Sequence, residues 1–174
     1  MGRGMEHWHP DPSFYYQPGA GPLMDMGPYY LTMMVNLLGP VRRVQAIATS
    51  GQEERLITAD GPKKGTTFKV GTPTSVLSLL EFACGATTTF GTSWDVFRPS
   101  NHPIELHGTQ GSLRLPDPDN FGGVIAVSRQ GAPWEETDTA NALFGAVNWP
   151  ITTPDRANYR MLGLADLARS ITEG

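Results

Sequence analysis

Between Leu23 and Leu38 apolar residues recur at Met24, Leu31, Met34, Val35 and Leu38, a helical spacing that stops at Gly39-Pro40. Pro28 falls inside this run. A proline has no amide donor and clashes with the carbonyl four residues back, so a kink or a start belongs between Pro22 and Gly27. From residue 41 to about Gln130 the period drops to two in short runs bounded by turn residues, among them "VRRVQAIATS", "ERLIT", "TTFKV", "TSVLSLLEFACG", "ATTTFGTSWDVF", "IELHG" and "GSLRLP". Residues 74–82 and 86–96 predict a hairpin around Ala83-Cys84-Gly85, and Gly108 to Gly111 turns a second one between 104–107 and 112–115. After Trp134 the pattern blurs. It sharpens again in "PDRANYRMLGLADLARSITEG", where Tyr159, Leu162, Leu164 or Ala165, Leu167, Ala168 and Ile171 predict an amphipathic helix.

The opening "EHWHPDPSFYYQPGAGP" carries Pro10, Pro12, Pro18 and Pro22, which excludes a regular helix or a central strand and predicts an extended, aromatic-rich arm. The expected organisation is a single α+β domain over 1–174: an arm (1–20), a helix (21–39), a large antiparallel sheet (41–130) and a closing helix (154–173). A chain of 174 residues removes roughly 70% of its unfolded surface from water and can close around one core.

Composition changes this picture little. With 17% charged residues, a net charge of -4 and scattered Lys and Arg, nothing favours a nucleic-acid partner. Cys84 has no internal partner, no Asn-x-Ser/Thr site occurs, and neither a signal peptide nor a membrane-spanning run of roughly 18 apolar residues is present. These features predict a cytoplasmic protein.

The stretch "GAGPLMDMGPYYL" looks like a nucleotide loop, but Met24 stands where the third glycine of Gly-x-Gly-x-x-Gly belongs and no buried strand precedes it. Asp25, Tyr29, Thr32 and Asn36 would instead share one polar helix face. Either that face lines a site, or Asp25 is a first-turn carboxylate favoured by the helix dipole and Tyr29 only packs. His7 and His9 flank Trp8 on one side of an extended segment, with no third metal ligand nearby. The carboxylates of "PDPDNFGG" read as a turn rather than a calcium loop. Arg156 and Arg160, at the start of the last helix, invite an anion or a carboxylate partner.

Together, "HPDPSFYYQPGAGPLMDMGPYYLTMMVNLLGPVRRVQA", "GTSWDV", "IELHGTQGSLRLPDPDNFGG" and "ANYRMLGLADLARSI" resemble the C-terminal domain of the glucose-fructose oxidoreductase, inositol dehydrogenase and MocA-like (Gfo/Idh/MocA) family, from about Trp8 to the end. The resemblance implies an open, mostly antiparallel sheet with helices packed on one face, which supplies substrate contacts and forms a homodimer through the sheet. It also implies a preceding Rossmann domain that binds NAD or NADP. No cofactor is expected on this chain alone, which would then be a fragment, inactive by itself, of an oxidoreductase for a sugar, polyol or related alcohol.

The family pattern Asp-x-Gly-x-His is met by Asp25, Gly27 and Tyr29, with Tyr in place of His. By that resemblance Asp25 and Tyr29 are the catalytic pair, and Tyr16, Gln17, Trp94, Asp95 and His102 contact the substrate, with Tyr15 beside them. A phenol of pKa about 10 working as a base near neutrality needs its anion favoured by roughly 3 to 4 kcal/mol. Asp25 pushes the other way. A cation about 4 Å distant supplies roughly 4 kcal/mol at an effective dielectric near 20. The family's lysine for that purpose lies in a Glu-Lys-Pro segment that this chain lacks, and Lys63 and Lys64 read as solvated loop charges. The alternatives are a non-enzymatic dimerisation or carbohydrate-binding module, and a hydrolase, for which Asp25 lacks a second carboxylate in defined relation.

Overall fold

The computed structural model describes residues 4–146 and 159–173. Contacts gather into two compact units, Met1–Ser100 and Asn101–Gly174, within the stretch expected as one domain. Among the described residues, no helix is long and apolar enough to cross a membrane.

In the first unit the proline-rich arm folds into two 3₁₀ turns, Met5–His7 and Ser13–Tyr16, rather than running extended. Short i→i+3 turns tolerate prolines at their borders, and Pro12 sits at the N-cap of the second. The expected helix is two helices. α1 (Pro22–Asp25) and α2 (Gly27–Leu38) are separated at Met26. Pro28 explains the division, because it can offer no amide to the carbonyl of Met24. Both suggested starts, Pro22 and Gly27, are therefore real.

β1 (Val41–Thr49), β4 (Ser75–Phe82) and β5 (Thr87–Ser93) form an antiparallel sheet in the order β1-β4-β5. The β4–β5 hairpin closes as expected. Phe82 N donates to Ala86 O at 2.9 Å, and Gly85 takes φ 91°, so Ala83-Cys84-Gly85 is a three-residue loop with glycine in the left-handed position. On the inner face Leu80 and Phe82 are buried with Met34 of α2, and Tyr30, Leu31 and Leu38 pack around them. Val35, expected in the buried stripe, is exposed. On the outer face Ile47 pairs with Leu77 and Leu77 with Gly91, and Ile47, Leu77 and Leu79 are exposed.

The stretch between β1 and β4 does not extend that sheet. Its runs "ERLIT" and "TTFKV" supply β2 (Glu54–Leu56) and β3 (Thr67–Lys69), which pair only with each other. Gly61, Pro62, Gly65, Gly71 and Pro73 interrupt it, and proline cannot serve a central ladder. Pro99 and Pro103 likewise precede the third sheet. The strands expected as one large sheet are thus antiparallel throughout but divided among three sheets.

The second unit is a meander of β6 (Ile104–Gly108), β7 (Gly111–Leu115), β8 (Val124–Arg129) and β9 (Glu135–Asp138), followed by α3 (Leu162–Glu173). Gly108 pairs with Gly111 across the expected turn. Asp117 accepts the amide of Asp119 at 3.0 Å, which makes "PDPDN" an Asx-type turn. Leu164, Leu167 and Ile171 of α3 are exposed. The helix begins at Leu162, so Arg160 precedes it. Arg160 Nη2 donates to Asp119 O and Oδ1 at 2.9 and 3.2 Å. Arg156, and the expected helical residues 154–158, lie outside the described residues.

Candidate functional site

The glycine stretch is a packing device. Gly21 caps α1 at φ 96°, and its amide donates to Tyr15 O at 3.0 Å rather than facing open space. A Cβ there would lie 2.9 Å from Pro73 O, so only glycine lets the chain pass this close to residues 72–73. Its amide is spent and the helix it opens covers Pro22–Asp25 only, so the turn does not fit a pyrophosphate.

Asp25 and Tyr29 follow directly. The amides of Asp25 and Met26 donate to Gly21 O and Pro22 O, each at 3.0 Å, and the amide of Tyr29 donates to Met26 O at 3.3 Å. Asp25 ends α1 and Tyr29 lies in the first turn of α2, so the pair is not on one uninterrupted helix face. Tyr29 is 42% exposed, and Thr32 and Asn36 beyond it are exposed too. The Tyr29 phenol is open to solvent, where its hydroxyl is free to meet a hydrogen-bonding group from outside the chain.

A second polar group lies in the core of the same unit. Arg55 of β2 is 5% exposed and Glu6 of the first 3₁₀ turn 4%. Arg55 Nη1 donates to Glu6 Oε1 at 2.7 Å and to Trp94 O at 3.3 Å, while Nη2 donates to Asp95 Oδ1. The Tyr16 hydroxyl donates to Glu6 Oε2 and accepts the amide of Met5 at 3.0 Å. Asp95 Oδ2 accepts Thr74 Oγ1 at 2.7 Å and Ser75 Oγ at 2.6 Å. Burial, then the Glu6 hydrogen bond, pushes the Tyr16 phenol well above its ordinary range. Burial opposes ionisation of Asp95, yet the Ser75 and Thr74 hydrogen bonds and the Arg55 charge outweigh it and hold the carboxyl low. Arg55 is likewise held charged against burial, chiefly by Glu6.

Several expected substrate contacts are therefore core residues. Tyr16 is 0% and Trp94 2% exposed, their rings 4.9 Å apart, because the arm's second turn tucks under the end of β5 instead of lining an opening. Asp95 is committed to Arg55, Thr74 and Ser75. Gln17 is exposed, its amide donating to Ser13 O at 3.3 Å, and Tyr15 packs on Trp94 from the side. His102 is exposed in the second unit, ahead of β6. His7 Nδ1 lies 2.8 Å from Thr58 Oγ1, and His9 Nδ1 accepts the amide of Asp11 at 3.1 Å. Lys63 and Lys64 pair on the surface with Asp11 and Asp60 at 2.7 Å.

Glu6 and Arg55 escape a search for motifs, but Arg55 carries one sequence signal. In "ERLITA" it has the same parity as Ile57 and Ala59, which are buried, while Leu56 is exposed.

The family model of the GFO/IDH/MocA C-terminal domain matches residues 2–114. The chain belongs to this family. Levoglucosan dehydrogenase in complex with NADH and L-sorbose superposes with a TM-score of 0.66 at 22% identity, over 95% of this chain and 47% of its own. An NAD binding oxidoreductase from Klebsiella pneumoniae gives 0.60 at 23% identity, over 78% and 37%. The transcriptional regulator Gal80p from Kluyveromyces lactis gives 0.58 at 13%, over 77% and 35%. No curated protein matches. This Gfo/Idh/MocA domain thus spans at most about half the length of these solved structures, and at such identities they share its fold.

Proposed function

We propose that this chain is the substrate-binding and proton-transfer half of an NAD(P)-dependent oxidoreductase acting on a sugar, polyol or related alcohol. The observation that carries the reading is Asp25-Met26-Gly27-Pro28-Tyr29, the family's Asp-x-Gly pattern, on a helix junction where the phenol is exposed. Levoglucosan dehydrogenase, whose complex holds NADH and L-sorbose, supports the substrate class. Tyr29 exchanges a proton with the substrate hydroxyl, and Asp25 orients the substrate. Residues 19–31 do not fit the nucleotide, so the cofactor and the cation that activates Tyr29 are assigned to a nucleotide-binding domain. Gln17, in the same unit, is a proposed substrate contact, and His102 is proposed as a polar contact of the second unit taken by itself. Tyr16, Trp94 and Asp95 support the site from within.

The same reading puts the protein in the cytoplasm, in keeping with its free, exposed Cys84. It also places a homodimer on the outer face of the β1-β4-β5 sheet, where Ile47, Leu77 and Leu79 are exposed. A Leu77→Glu chain that sediments unchanged removes that assignment.

The experiment supplies this chain with a family nucleotide-binding domain and measures alcohol-dependent reduction of NAD(P). Activity that falls at least a hundredfold in Tyr29→Phe is expected, within the range general acid–base groups contribute. Wild-type turnover in that variant rejects the assignment. The Gal80p fold favours one other reading, a module without chemistry, which predicts no reduction with any alcohol in the same assay.

A further inference from the structure

We propose that Arg55 is a positioning residue for the Asp25–Tyr29 junction: by joining Glu6 and Asp95 it fixes two segments that hold the start of α1. Its effect on turnover rests on the oxidoreductase reading; its effect on α1 does not.

α1 covers only Pro22–Asp25, too short to hold itself, and its start depends on outside partners. One is the end of the arm, where Tyr15 O accepts the amide of Gly21 at 3.0 Å. The other is the segment ahead of β4. Thr72 Oγ1 donates to Ala20 O at 3.2 Å, Gly71 N to Tyr16 O at 2.8 Å, and Pro73 O closes on the space where Gly21 would carry a Cβ.

Both supports converge on one guanidinium. On the arm side, Nη1 holds Glu6, Glu6 takes the Tyr16 hydroxyl, and the cation lies 5.2 Å from the Tyr16 ring centre. On the other side, Nη2 holds Asp95, which takes the hydroxyls of Thr74 and Ser75 just beyond Pro73. Joining two carboxylates in a set geometry takes a planar fork with separate nitrogens, which an ammonium group does not provide. Arg55 is buried and its hydrogen bonds go to Glu6, Trp94 and Asp95, so its effect on the junction runs through the backbone between Tyr15 and Met26.

The test is amide hydrogen exchange on the whole 174-residue chain, wild type against Arg55→Lys, with the amides of β4 as internal reference. At Gly21, Met24, Asp25 and Met26 exchange is expected to quicken about tenfold more than in β4, as for a local opening beyond the general loss of stability. Equal acceleration in β4, or none at α1, overturns the proposal. Glu6→Gln keeps the shape while loosening one side of the fork. It should give the same local pattern, and it decides the question if Arg55→Lys does not fold. In the enzyme supplied with its nucleotide-binding domain, Arg55→Lys should lower kcat roughly tenfold or more with a smaller change in KM, as misplacement of a reacting group does. Full kcat overturns the catalytic part. Should Tyr29→Phe retain wild-type turnover, the oxidoreductase reading fails while the exchange pattern still decides whether Arg55 holds α1.

Discussion

The first unit is held by two clusters of opposite character. Under α2, Met34, Leu80 and Phe82 are buried among the apolar faces of Tyr30, Leu31 and Phe90. At the other cluster Met5, Tyr16 and Trp94 surround the Glu6–Arg55–Asp95 fork. An apolar cluster is satisfied by volume, so many side-chain sets fill it. An ionic one is satisfied only by one geometry, because a buried charge deprived of its partner costs several kcal/mol. The first cluster fastens a helix to a sheet. The second fixes where an irregular arm must lie, which packing volume alone does not specify.

The largest expected effect is Arg55→Met, which strands Glu6 and Asp95 and should lower stability by about 3–5 kcal/mol. Urea unfolding of the chain measures it, and a loss below 1 kcal/mol would erase the contrast between the clusters. Leu80→Ala should cost about 2–5 kcal/mol by cavity formation. Tyr16→Phe, which leaves the Met5 amide and one Glu6 oxygen unsatisfied, should cost about 1–3 kcal/mol.

This last variant also changes the pH profile. The Tyr16 phenol is raised in the folded state, so its contribution is complete below the ordinary phenol pKa near 10 and is lost as pH climbs above it. Thermal melts of the wild type should fall above about pH 10, and Tyr16→Phe should flatten that limb. Asp95 has the opposite sign. Its carboxyl is held low, so its stabilisation is present above the ordinary value near 4 and fades as pH drops below that; Asp95→Asn should blunt the acid limb. The smallest effect sharpens the comparison most. Leu80→Met should cost less than about 1.5 kcal/mol, whereas the equally conservative Arg55→Lys should cost more.

The apolar cluster was legible in the sequence, since Leu31, Met34 and Leu38 recur with helical period and the β4–β5 hairpin announces itself through alternation and Gly85. The ionic cluster was not. Its members come from positions 6, 16, 55 and 95, and no local period links residues so far apart. Tyr16 and Trp94 looked like cleft residues because aromatics beside prolines and strand ends read equally well as surface or core; burial depends on which segments meet. Alternation marks strands but does not say which strand is the neighbour, so it does not reveal that the antiparallel strands divide among three sheets. The interruption between Asp25 and Tyr29 follows from the particular consequence of Pro28, which periodicity alone does not show.

That interruption gives the candidate groups separate foundations. The carboxylate belongs to a piece held at its start by the arm and by the segment ahead of β4, and the phenol to a piece packed on the sheet through Met34, with Met26 as the joint. In a continuous helix their spacing would be as fixed as the pitch of a screw. Here the joint at Met26 lets the spacing of acid and phenol be set by how each piece packs rather than by the turn of one helix.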